Sequence, residues 1–98
     1  MATIKEATQN SMAFAREALG ADRIKGLQLE EVESAEEGGT GVWRITLSMI
    51  ISPDPEQLGP VGAAIAALAQ PRREYKIFTV LRQTGEVTSM KIRELQDK

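Results

Sequence analysis

The sequence predicts an α+β fold in one domain: an N-terminal helix packed on a four-stranded antiparallel sheet. The order is helix, strand, strand, a Pro/Ala-rich insertion, strand, strand. Three observations carry this. Residues 3–19 place apolar side chains at helical spacing. Residues 42–51 alternate apolar and polar. Residues 75–95 read as a hairpin with its turn at Arg82-Gln83-Thr84-Gly85.

The helix comes first. Ile4, Ala7, Ser11, Phe14, Ala15, Ala18 and Leu19 fall on one stripe, the pattern of a helix with one face on a core. Thr3 followed by Glu6 makes a capping box, and Gly20 is a fitting stop.

Residues 27–34 are the expected first strand. Leu27 and Leu29 share a parity that Val32 breaks: either a bulge near Glu30-Glu31 returns Val32 to the inner face, or the strand ends early. Residues 36–41 carry three glycines and no apolar side chain, which marks a turn. Glu30, Glu31, Glu33, Glu36 and Glu37 lack the spacing of a calcium loop, so they read as a solvated acidic edge.

Residues 42–51 are the clearest strand. Trp43, Ile45, Leu47, Met49 and Ile51 face the helix, and Arg44, Thr46 and Ser48 face partly into water. Trp43 is the expected core anchor. All four prolines lie in the insertion, residues 52–73, and bracket an alanine-rich run at 61–70. Alanine favours helix, so a short helix or a partner-binding loop is expected there.

In the hairpin, Tyr75, Ile77, Phe78, Thr79 and Val80 suit a pleated, half-buried surface. Gly85 takes the left-handed position of the turn. The third strand is apolar at both parities. With Tyr75, Ile77, Thr79 and Leu81 set inward, the outer face carries Phe78, Val80 and Val87 beside Arg44, Lys76, Lys91 and Arg93. That surface, with Ile65 and Leu68 of the insertion, is the expected interaction site.

The order of elements and the run Y-K-I-F-T-V-L-R-Q-T-G-E-V, with Thr84-Gly85-Glu86-Val87 at its turn, resemble the PepSY family. The strand around Trp43 and the Arg/Lys-rich closing strand also resemble gas-vesicle protein O. The first resemblance implies a PepSY/cystatin-like arrangement of helix and sheet. Neither brings a catalytic residue to this chain.

Composition narrows the function. The 98 residues suffice for one modest core. A formal charge of −2 argues against nucleic acid. Cys and His are both absent, which removes thiol chemistry, disulfides and the commonest general base and metal ligand. No cofactor and no metal are expected. The first residues lack a basic and then apolar leader, and no apolar run reaches the ~20 residues that span a bilayer. A cytoplasmic protein without integral membrane association is expected. The functional expectation is a small non-enzymatic protein-interaction or regulatory module, as a homodimer or bound to another protein. The alternative is a small-ligand-binding or enzymatic domain with a pocket between helix and sheet.

Overall fold

The computed structural model describes residues 1–52 and 73–93. The expectations for the insertion, including a helix at 61–70 and contacts by Ile65 and Leu68, lie outside the described residues.

One helix, α1 (Ile4–Leu19), packs on a single sheet of β1 (Ile24–Glu37), β2 (Thr40–Ile51), β3 (Arg73–Leu81) and β4 (Val87–Arg93). The strands lie in sequence order, and each neighbouring pair is antiparallel. This is the α+β arrangement expected from the sequence.

The helix starts where its capping residues dictate. Thr3 accepts a hydrogen bond from the Glu6 N–H at 3.1 Å, and the Glu6 carboxylate accepts one from the Thr3 N–H. Gly20 closes the other end, donating its N–H to the Arg16 carbonyl. The buried stripe is narrow: Ala7, Ser11 and Ala15, each a small residue one turn beyond the last. Small side chains let the helix axis approach the sheet closely. The Ser11 hydroxyl, taken out of water, donates to the Ala7 carbonyl at 2.8 Å and so avoids the cost of an unsatisfied buried donor. Phe14 and Leu19 flank the stripe half-buried, whereas Ile4, 46 % exposed, and Ala18 fall outside it.

β1 and β2 run longer than expected because their turn is only Gly38-Gly39. Both residues have positive φ, 57° and 80°, as the tight hairpin turn that matches strand twist requires. Glu36, Glu37, Thr40 and Gly41 therefore belong to the strands. The ladder slips between Leu29 and Glu31, and Val32 then pairs with Ile45 on the core face. This is the expected bulge. Gly85 takes φ 80° at the second hairpin, where its carbonyl accepts a hydrogen bond from the Asn10 side chain.

The parity of β3 is opposite to the expectation. Residues directly opposite in a ladder share a face, and Phe78 pairs with Ile45 while Val80 pairs with Trp43. Phe78 and Val80 are completely buried with Ile45, Leu47 and Met49. Phe14 meets the Phe78 ring edge-on, with centroids 6.2 Å apart. Lys76 pairs with Leu47, so it too lies on the core side and is only 7 % exposed. A further irregularity, between Thr79 and Val80 in the β3/β4 ladder, sets Val87 opposite Val80 and against the core. Phe78, Val80, Val87 and Lys76 are thus not members of the outer face.

Trp43 is half-buried at the core margin rather than at its centre. The Arg82 guanidinium lies 5.4 Å above its ring, in cation–π range. Its indole N–H points to the Ala2 carbonyl at 3.4 Å, and the Ala2 N–H donates to the Arg82 carbonyl at 2.6 Å. The N-terminal residues are thereby tied to the end of β3.

Candidate functional site

The face of the sheet opposite α1 is the candidate site. Its members follow from register. β1 contributes Glu31, Glu33 and Glu37 after its bulge. β2 contributes Arg44 and Thr46, β3 contributes Ile77 and Thr79, and β4 contributes Lys91 and Arg93. Together they line a shallow concavity of about 500 Å³.

The floor is hydroxyl and apolar: Thr46, Thr79 and the half-buried Ile77. Thr46 and Thr79 are buried although they face away from the helix. The expectation of a partly wet face fails here because long charged side chains lie over the floor, their stems covering it. Arg93 donates to the Thr46 hydroxyl at 3.2 Å and to the Glu31 carboxylate at 3.0 Å. Arg44 pairs with Glu37 at 3.4 Å. Both ion pairs are exposed, with side-chain accessibilities between 35 and 48 %, so each is worth little, about 0–1 kcal/mol.

The signs are segregated. The three carboxylates stand on one edge strand, and Lys91 and Arg93 stand on the other, with Arg44 between. Lys91 makes no ion pair with the described residues.

Beside this concavity lies a polar relay. Arg73 donates to the Gly26 carbonyl at 2.7 Å and to the Ser48 hydroxyl at 2.9 Å. Ser48 in turn donates to Glu30 at 2.5 Å, and Gln28 donates to the same oxygen at 2.7 Å. The Ser48 hydrogen bond above all, then that from Gln28, with the charge of Arg73 nearby, holds the Glu30 carboxyl below its usual range. A carboxylate held ionised in this way is a poor proton acceptor near neutral pH.

Of the residues expected at the site, Arg44, Lys91 and Arg93 are on this face. The acids Glu31, Glu33 and Glu37 belong to it as well, although the sequence reading treats them as a solvated edge. Parity counted past the bulge at Glu30 identifies them. Ile77 and Thr79 replace Phe78 and Val80.

No group of three or more His, Cys, Asp or Glu among the described residues could hold a metal ion. Among the same residues no helix is long and apolar enough to cross a membrane. Comparison with family models, with curated proteins and with solved structures gives no match.

Proposed function

We propose that this chain is a small non-enzymatic protein-interaction module, and that the outer sheet face is its contact surface. One observation carries the proposal: an apolar and hydroxyl floor, rimmed by six charges of segregated sign, that no described element covers. A small apolar centre with a charged rim is the layout of a protein contact, in which the centre supplies burial and the rim sets orientation. The exposed ion pairs on it are weak, so they can be exchanged for pairs with a partner at little cost.

Contact is favoured over catalysis by the chemistry at hand. The chain has no His and no Cys. Two of the three acids in the concavity face a guanidinium, and Glu30 beside them is held ionised. A PepSY-like relationship is likewise proposed, on the Thr84-Gly85-Glu86-Val87 turn and the order of elements.

The test is capture from the native cell with a tagged chain. Wild type and a control reversed on the helix, Glu17→Lys, should retain the same partner. Lys91→Glu combined with Arg93→Glu should lose it. Equal capture by all three would remove the outer face from consideration.

A further inference from the structure

We infer that the partner that fits the outer face is a second copy of this chain, docked about a two-fold axis parallel to the strands. The inference rests on the reading of that face as a contact surface, and charge placement carries it further. An isologous contact requires a surface complementary to itself. The concavity supplies three acids, Glu31, Glu33 and Glu37, and three bases, Arg44, Lys91 and Arg93. The formal charge of the face is therefore zero, so the face itself adds no net repulsion between two copies.

The strand order then selects the axis. The strands run β1-β2-β3-β4 across the sheet. A two-fold axis between two facing sheets and parallel to the strands lays β1 of one copy over β4 of the other, and β2 over β3. The carboxylates of each β1 then meet Lys91 and Arg93 of the opposite copy. The other in-plane axis, across the strands, stacks β1 on β1 and sets the acids against themselves, an arrangement that like-charge repulsion disfavours. The sheets would cross at about −30°, as aligned sheets do.

Ion pairs within each copy exchange for equivalent pairs between copies. Thr46 and Thr79 are already out of water, so the driving force comes from the half-buried Ile77 of each copy and from the apolar stems of Arg44, Lys91 and Arg93, which are not buried. Strand spacings of about 4.8 Å and a rise of about 3.4 Å per residue give this face roughly 600 Å². That lies below the ~800 Å² per partner of a standard interface. The dimer should therefore be weak, formed at about 10⁻⁴ M protein and dispersed by dilution or salt.

The test is light scattering at about 10⁻⁴ M chain in low salt. Wild type should show a mean mass well above the 10.7 kDa of one chain, rising toward twice that with concentration and falling toward one chain at high salt. Glu31→Lys with Glu33→Lys, and separately Lys91→Glu with Arg93→Glu, should each weaken association at least about tenfold. An equimolar mixture of the two variants should restore the wild-type mean mass, because each β1 again meets an opposite β4. Carbodiimide cross-linking of mixed ¹⁴N and ¹⁵N wild-type chains needs no variant. It should join Glu33 peptides of one isotope to Lys91 peptides of the other. A monomeric wild type under these conditions overturns the inference, as does a dimer indifferent to both reversals. If wild type is monomeric while reversal at Lys91 and Arg93 abolishes capture of a different protein, the second-copy assignment falls and the contact-face reading stands. If reversal leaves both capture and dimer unchanged, both fall.

Discussion

Arg93 on β4 reaches across β3 and β2 to place its guanidinium 3.0 Å from the Glu31 carboxylate on β1. One side chain thus spans the whole outer face and touches Thr46 on the way. The pair stays exposed, and so it orders the face more than it stabilises the fold. Arg93→Ala should lower unfolding free energy by no more than about 1 kcal/mol. Urea titration checks this. A loss of several kcal/mol would mean that the face is part of the structural core.

Phe78 belongs to the opposite class. It is completely buried, pairs with Ile45 and is met by Phe14 edge-on. Phe78→Ala should cost about 3–5 kcal/mol. Phe78→Asp should leave the chain unfolded, because a charge would enter the core without a partner. Far-UV circular dichroism during thermal melting distinguishes this from a folded variant altered only at its surface.

Gly85 should tolerate no side chain. Its φ is 80°, and an added Cβ would come 2.9 Å from the Asn10 amide nitrogen and 3.3 Å from the Ala2 Cβ. Gly85→Ala should destabilise by at least about 1 kcal/mol. The same substitution at Gly38, where no atom lies within 4 Å of an added Cβ, should cost less. Paired chemical denaturation of the two variants reads the difference.

Glu30 should titrate below the ordinary glutamate value, since Ser48 first and Gln28 second hydrogen-bond its ionised form. The sign follows from linkage. A carboxyl whose folded value is depressed adds stability above its unfolded value, and that stability is lost as pH falls through the folded value. Ser48→Ala should move the Glu30 titration upward. Side-chain carboxyl NMR against pH shows whether it does.

The local features of the fold were legible in the chain. Thr3, Glu6 and Gly20 mark the helix, the mismatch of Leu29 and Val32 marks the bulge, and Gly85 marks the turn, because each follows from neighbours in sequence. The parity of β3 was not legible. Tyr75 and Ile77 compete with Phe78 and Val80 for the core on equal hydrophobic terms, and only the pairing of Ile45 with Phe78 decides. The same choice put Phe78 and Val80 at the site in place of Ile77 and Thr79. Arg44, Lys91 and Arg93 could be placed from strand alternation, and Glu31 and Glu33 by carrying the parity past the bulge, but that these acids share one surface with the far edge strand rests on the strand order and the Glu31–Arg93 ion pair. The covering of Thr46 depends on long side chains arriving from other strands.

The proposed contact surface is the outer sheet face and not the helix. Amide chemical-shift mapping of ¹⁵N-labelled chain against rising concentrations of unlabelled chain, or of a captured partner, tests it most directly. Shifts concentrated at Glu31, Glu33, Thr46, Ile77, Thr79 and Lys91 are the predicted result. Shifts confined to the exposed side of α1, at Lys5, Gln9 and Arg16, with the outer face unmoved, would contradict it.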